Sequence, residues 1–544
     1  MSQKKSKVRD HQIDPGRHGA SHNGIGESIA KLFARSEAAV FRERADEASV
    51  SRIIERYCRE PDVTTDIDLS ALAERFNQSE VPTEPCDFAD YLDYLAEHVV
   101  PHSVRTCSPR FIGHMTSALP YFVKLLGKLM VALNQNQVKL ETSKALSFCE
   151  RQALAIVHRL LFDFPEGFYA QHIQRRESTL GIITSGGTLA NVTALLCARN
   201  FCLGPSNGFA GVEEEGLAEA LDHYGYKGAA VIGSSLMHYS FEKAAGALGI
   251  GLRNIIKVPV DRDHRIELPA LEQAIADCRA RRERVIAVVG IVGTTETGAV
   301  DPLPEMAAMA RKAGAHFHVD AAWGGPLMFS TSHRHKLAGI EEADSLTIDG
   351  HKQMYLPMGI GMVLFRNPHL AKVIEKQAQY VVRARSYDLG RRSLEGSRPG
   401  MALLLHAALN LLGRKGYEFL IDEAIRKTQY MADSLRARPE FEVLVEPAMN
   451  ILTYRYIPEP WRERAAAGEL TESDNRIING FNERLQKIQR RAGRTFVSRT
   501  TLNTTRYGKA VPVVALRAVI ANPLTGEPDI DYVLNHQLQI AATM

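Results

Sequence analysis

Apolar and polar positions change their rhythm twice along the chain. Up to about residue 105 the apolar positions recur at helical spacing with charges between them, as in SIAKLFARSEAAVFRERADEASVSRIIERYC. The proline-bearing SEVPTEPCDF breaks that pattern before a second helical run, DYLDYLAEHVV. From about residue 106 short β-rich runs take over: LGIITS, AAVIGSS, NIIKVPV, VIAVVGIVG, HFHVDAAW, SLTIDG and GMVLFR. Helical stretches alternate with them, among them TLANVTALLCARN, SFEKAAGALG, LPALEQAIADCRARR and PLPEMAAMARKAG. Such alternation predicts an α/β fold with helices layered on a mostly parallel sheet. Near residue 412 the pattern shifts again. A long helix through RKGYEFLIDEAIRKTQYMADSLRAR leads to the strand-like FEVLV, NILTYRYI and VPVVALRAVIAN and to a last helix, which predicts a smaller α/β unit.

The expected organisation is a helical segment over residues 1–105, a large domain over 106–412 and a small domain over 413–544. The first ~20 residues, with Lys4, Lys5, Lys7 and Arg9, read as a disordered solvated tail, a nucleic-acid arm being the alternative. The N-terminal helices are too thin in apolar residues to hold a catalytic core, and fit packing on a partner subunit.

Composition narrows the class. A length of 544 residues suffices for a large core, and a formal net charge of +3 gives no reason to expect nucleic acid or an acidic membrane surface as partner. The cysteines at 58, 86, 107, 149, 197, 202 and 278 show no CxxC spacing, so reduced thiols in a cytoplasmic protein are expected, with no metal site. No apolar run has the length of a membrane span, and no apolar signal core opens the sequence.

Four places have the residue types of a reactive site. TSGGTLAN (184–191) joins a strand to a helix, so Gly186 and Gly187 can turn backbone N–H groups toward an anion, beside the hydroxyls of Ser185 and Thr188. It is neither a Walker loop nor GxGxxG, and alone it fits an ordinary Gly-rich turn. In HVDAAWGG, Asp320 ends a strand, where a carboxylate either meets a positive partner or caps the next helix. His238 sits between a strand and a helix, as a loop residue or as a stacking, proton-handling ring. Lys352, in TIDGHKQM, is a surface charge if read alone, and a Schiff-base nucleophile if its amine is held in a site. Together they change the balance. An anion turn, a flat stacking partner, a carboxylate for a pyridine nitrogen and an amine for an aldehyde are what pyridoxal 5'-phosphate requires.

On these motifs, with SPRF at 108, GTTETGAVDPL and SYDLGRRSLEGSRPG (386–400), the chain from about residue 105 onward resembles the group II pyridoxal-phosphate decarboxylases. Within that family it resembles the glutamate decarboxylase branch, and especially the bacterial pyridoxal-dependent aspartate 1-decarboxylases. The resemblance implies a fold-type I enzyme, a homodimer with shared active sites, and decarboxylation of an acidic amino acid. L-Aspartate giving β-alanine, a precursor of pantothenate and coenzyme A, is the first choice; glutamate giving γ-aminobutyrate is the alternative. An aminotransferase or lyase on the same fold, and a pyridoxal-binding protein without turnover, are the rival classes.

Carried over by motif, the resemblance makes Lys352 the covalent anchor of the cofactor, with His351 near its phosphate. Asp320 pairs with the ring nitrogen, Ala322 packs on one face and His238 stacks on the other, while Ser185, Gly186, Gly187 and Thr188 hold the phosphate. Thr295 lies near the ring, and Tyr380 stands at the place of a mobile-loop tyrosine that reprotonates product, in a loop shorter than the family's. Arg398 binds the substrate's carboxylate, helped by His114, which replaces the glutamine of animal relatives.

Overall fold

A computed structural model describes Ile29, Leu32, Phe33 and residues 36–377, 386–508 and 510–544. The seven β-rich runs become the seven strands of one sheet: β1 (Gly181–Thr184), β2 (Gly228–Ser234), β3 (Ile255–Val258), β4 (Glu283–Ile291), β5 (His316–Asp320), β6 (Ser345–Asp349) and β7 (Gly361–Phe365). Their order is β1-β7-β6-β5-β4-β2-β3. Neighbours from β3 through β6 are parallel, and β7 runs antiparallel to both β6 and β1. The α/β fold with a mostly parallel sheet is therefore present. Helices Gly187–Cys202, Ser240–Ala247, Leu268–Ala280 and Leu303–Ala313 supply the crossovers. Gly314, at φ 64°, ends the last of these in a left-handed turn and releases the chain directly into β5.

Two cores result. Alternate strand residues such as Ile183, Phe317, Val319, Leu346, Ile348 and Met362 fill one face together with helix Ala145–Phe162. Ile182, Val231, Val289, Val363 and Phe365 fill the other, under helix Gly187–Cys202 with its small Ala190, Ala194 and Ala198. Helices on both faces explain why these strands are almost continuously apolar.

Strands β5 and β6 break that rule. HFHVD and SLTID alternate strictly, and their polar members are buried too: His316, His318, Asp320, Ser345, Thr347 and Asp349 are each at most 8% exposed. A polar face sealed beneath a helix must find hydrogen bonds inside the protein.

A second, antiparallel sheet of order β10-β11-β9-β8 comprises β8 (Phe441–Val445), β9 (Ile451–Tyr456), β10 (Ser498–Thr504) and β11 (Val511–Val519). Helices Gly413–Arg436, Glu472–Ala492 and Glu527–Ala542 pack with it. β10, reading SRTTLNT, is a polar edge strand with one buried residue, Leu502, so periodicity did not reveal it. In the N-terminal region, helices Glu37–Arg59, Leu69–Glu74 and Phe88–Tyr94 bury none of their residues.

The first residue of β7 locks the site's two turns together. Gly361 is in register with Thr184 on one side and Asp349 on the other. A Cβ there would lie 2.6 Å from the carbonyl carbon of Gly186 and 2.8 Å from Asp349 Oδ1. Gly361→Ala is therefore expected to push β7 away from the 184–188 turn. The expected cost is about 1–3 kcal/mol, read as a lowered unfolding temperature together with weaker cofactor retention on dialysis.

Candidate active site

Parallel strands deliver their carboxyl ends to one edge of the sheet, and the predicted residues sit along it. Ile291, Asp320 and Thr347 are in register on β4, β5 and β6. At the end of β6, Lys352 Nζ lies 3.0 Å from Asp349 Oδ2, with the lysine side chain only 17% exposed. Lys352 is thus no solvated surface charge. His351 donates from Nδ1 to the Ile360 carbonyl at 3.0 Å, which fixes its ring with Nε2 3.6 Å from Asp349 Oδ2.

The Gly-rich turn meets this lysine turn directly. A Cβ on Gly187 would stand 2.7 Å from Asp349 Oδ2, and one on Gly186 would stand 3.5 Å from the His351 ring. Helix Gly187–Cys202 begins there without any side-chain cap, so its first N–H groups face the site, beside exposed Ser185 and half-buried Thr188. Asp349 Oδ1 is buried and accepts no hydrogen bond. An uncapped helix start, two glycines where a side chain would collide, and a lysine and histidine offsetting a buried carboxylate suit a phosphate with an aldehyde nearby.

Behind the edge, one amide organises two of the predicted residues. Asn191 Nδ2 donates to Asp320 Oδ2 at 3.0 Å and to the Ser240 hydroxyl at 2.9 Å. Ser240 in turn donates its backbone N–H to His238 Nδ1 at 3.2 Å, with the hydroxyl 2.8 Å from the same nitrogen. This pattern assigns the ring proton of neutral His238 to Nε2. Asn191 Oδ1 accepts from His318 Nε2 at 3.0 Å, and His318 Nδ1 and His316 Nε2 both meet the Ser345 hydroxyl, at 2.8 and 2.7 Å. On β5 and at the start of β6 the buried polar face is thereby satisfied, whereas Asp349 Oδ1 at the site is not. Burial pushes the His318 pKa down to about 3 and also lowers that of His238, where Asp320 partly opposes the effect. Asp320 Oδ1 accepts the Ala322 N–H at 3.1 Å, so both carboxylate oxygens are held. Half-buried Thr295 sits on the turn after β4.

One predicted residue pairs elsewhere, one lies outside the described residues, and one unpredicted residue stands near the group. The Arg398 guanidinium is engaged with Glu150, both buried, through Nη1–Oε2 at 2.8 Å and Nη2–Oε1 at 2.5 Å. Arg398, expected to bind a substrate carboxylate, thus has an internal carboxylate on two of its nitrogens, with Nε buried and unpartnered. Tyr380 lies outside the described residues. His114, exposed at its surface, is by contrast close enough to Arg517, Lys352 and His351 for their charges, together with desolvation as the larger cause, to lower its pKa.

Arg517 was missed. It lies on β11, 7% exposed, and donates from Nη1 to Ser498 Oγ at 3.0 Å and to the Gly113 carbonyl at 3.4 Å. Its Nε and Nη2 are buried and unpartnered. Burial lowers its pKa to about 10, with Glu296 opposing. The signal available in the sequence was one arginine in an otherwise apolar strand, VPVVALRAVIAN.

A lysine, a carboxylate and an uncapped helix start on one edge of a mostly parallel sheet define a pyridoxal-phosphate enzyme. Residues 73–457 match the family model described as the pyridoxal-dependent decarboxylase conserved domain. The chain belongs to this family of carboxy-lyases, and pyridoxal 5'-phosphate is its cofactor. It is 43% identical over 522 residues to aspartate 1-decarboxylase of Aliivibrio fischeri, covering 95% of both chains. With L-2,4-diaminobutyrate decarboxylase of Acinetobacter baumannii it shares 29% identity, over 68% of this chain and 71% of that one. Among solved structures, mouse CSAD in apo form superposes with a TM-score of 0.80 at 24% identity, covering 92% of this chain and 99% of that one. Oryza sativa TDC with PLP and tryptamine gives 0.77 at 21%, covering 94% and 100%.

The Arg398–Glu150 pair yields a direct test. Glu150→Ala leaves a buried guanidinium unpaired and is expected to destabilise the fold by about 3–5 kcal/mol. Replacing both residues by Met removes both charges and is expected to recover most of the loss in thermal unfolding.

Proposed function

We propose that the enzyme removes the α-carboxylate of L-aspartate to give β-alanine and CO₂. The carrying observation is Arg517: a buried guanidinium with two unpartnered nitrogens, Nε and Nη2, close enough to His114 to share its electrostatics with Lys352. An acidic side chain satisfies those donors in bidentate fashion. The likeness to an aspartate 1-decarboxylase over 95% of the chain supports the same choice. Glutamate, one methylene longer, is the alternative, since the same guanidinium suits its side chain.

Bound pyridoxal phosphate supplies an aldehyde for amines and a ring that accepts the electron pair left as CO₂ departs. The chain's own residues do the rest. Lys352, with its amine held beside Asp349, would hold the cofactor's aldehyde end. The uncapped N–H groups after Gly186, with Ser185, Gly187, Thr188 and His351, hold the phosphate. Asp320, fixed by Asn191 and the Ala322 N–H, is a carboxylate for a protonated ring nitrogen, and such a preset charge acts as negative charge develops on the ring. His238, Ala322 and Thr295 would contact the cofactor's ring.

Proton return falls to Tyr380 or His238. The lowered pKa of His238 keeps its imidazole neutral near pH 7, where Nε2–H is a poor acid, so Tyr380 is favoured as donor and His238 as stacking partner.

In this reading a second copy of the chain completes the assembly. Helix Tyr121–Leu133 leaves Tyr121, Leu125 and Leu129 exposed at i, i+4 and i+8, and Phe33 and Phe41 are also uncovered. Apolar stripes of this kind call for a covering surface. We further place the enzyme in the cytoplasm, supplying β-alanine for pantothenate and coenzyme A synthesis. Its seven cysteines are free thiols, and among the described residues no helix is long and apolar enough to cross a membrane.

Steady-state rates with aspartate, glutamate, cysteine sulfinate and tyrosine test the substrate. Aspartate is expected to be fastest, and faster glutamate turnover would overturn the choice. Lys352→Ala is expected to abolish the visible absorbance of the lysine-bound cofactor; wild type that stays colourless with added pyridoxal phosphate would refute the site. Tyr380→Phe is expected to lower kcat about 10²–10⁴-fold, the range for loss of a general acid, with KM little changed.

A further inference from the structure

Glu296 is the one ionisable residue in the GTTETG turn, and the proposed chemistry gives it no task. The turn leaves β4 beside Asp320 and is closed by Gly293 N–H and Thr294 N–H donating to the Ala299 carbonyl, at 2.9 and 3.0 Å. It packs on the second sheet, where a Cβ on Gly298 would stand 3.2 Å from Ile451. That contact brings Glu296 within electrostatic range of Arg517 on β11. The two make no salt bridge. Glu296 Oε2 is buried without a partner, and so are Arg517 Nε and Nη2.

Opposite charges that are buried, near one another and unpaired are costly unless a third group sits between them. That group must accept from the guanidinium. If it also meets Glu296, it must share a proton with a carboxylate. A carboxylate meets both demands when one proton is held between it and Glu296. We propose that Glu296 is a specificity-determining residue which takes up a proton from solvent when an acidic side chain binds Arg517, and donates it as a hydrogen bond to that side chain. The proposal rests on the reading of Arg517 as the side-chain anchor.

Burial already raises the pKa of Glu296, with its own backbone N–H and Arg517 acting the other way. An incoming carboxylate adds a like charge and raises it further. The charged group acting on Glu296 is Arg517, and Arg517, Lys352 and His351 all act on His114. Affinity for the acidic side chain therefore falls as pH rises above the pKa of Glu296 in the free enzyme. A cationic or apolar side chain has no such dependence.

Succinate, which has both carboxylates and no amine, isolates this effect from the chemistry of the substrate amine. Its dissociation constant from the holoenzyme is read by perturbation of the cofactor absorbance, between about pH 6.5 and about pH 9. In wild type it is expected to rise with pH, by up to about tenfold per unit, and binding in weak buffer is expected to take up close to one proton. Glu296→Gln, which keeps a donor but cannot titrate, is expected to flatten the profile while retaining low-pH affinity. Glu296→Ala is expected to weaken binding at low pH, where the donated hydrogen bond is lost, and to flatten the profile as well. His114→Gln is expected to leave the slope in place. A flat wild-type profile, a slope that survives in Glu296→Gln, or a slope abolished by His114→Gln would each overturn the proposal. Wild type that binds succinate with this profile yet turns over no acidic amino acid would instead refute the substrate reading.

Discussion

The site depends on burying a polar sheet face under a helix. On β5 and β6 the alternation HFHVD and SLTID sends apolar residues to one core, and His316, His318, Asp320, Ser345, Thr347 and Asp349 to the other side. Every one of those polar groups loses water on folding, and an unsatisfied one costs about 1–3 kcal/mol. Helix Gly187–Cys202 covers them and contributes Asn191, whose amide matches an acceptor on Asp320, an acceptor on Ser240 and a donor on His318. The demand for hydrogen-bond satisfaction therefore also orients the carboxylate and, through Ser240, the ring of His238.

The same helix serves the site a second time. Its uncapped start is brought against the lysine turn by the register of β7, and the close approach leaves no room for a Cβ at Gly187 or Gly361. Gly-rich turn, lysine and aspartate are thus set by one helix and three neighbouring strands. Rigid placement of this kind holds an electrostatic site in place before charge develops.

Much of this was legible from the chain. Continuous apolar runs foretold strands buried on both faces, and all seven proved to be strands of one sheet. Lys352, Asp320, His238 and the Gly-rich turn were identifiable because strand ends are where such a sheet presents chemistry. The pairing of Arg398 was not legible, because a basic residue in a motif carries no mark of its partner. Only folding shows that Glu150, 248 positions earlier, takes it. Arg517 went unnoticed for the opposite reason, since an arginine inside an apolar strand reads as a lapse in periodicity until its neighbours are known.

The sequence by itself determined the elements, the sheet's layered class and the residues able to bind an aldehyde, a phosphate and a ring nitrogen. Those follow from local period and residue chemistry, which need no distant contact. The tertiary structure alone decided which buried charges are spent and which remain free. Arg398 and Glu150 form an ion pair, whereas Arg517 and Glu296 make none beside the site. Pairing of buried charge is a matter of ångströms between segments far apart in the chain, and no local pattern encodes it.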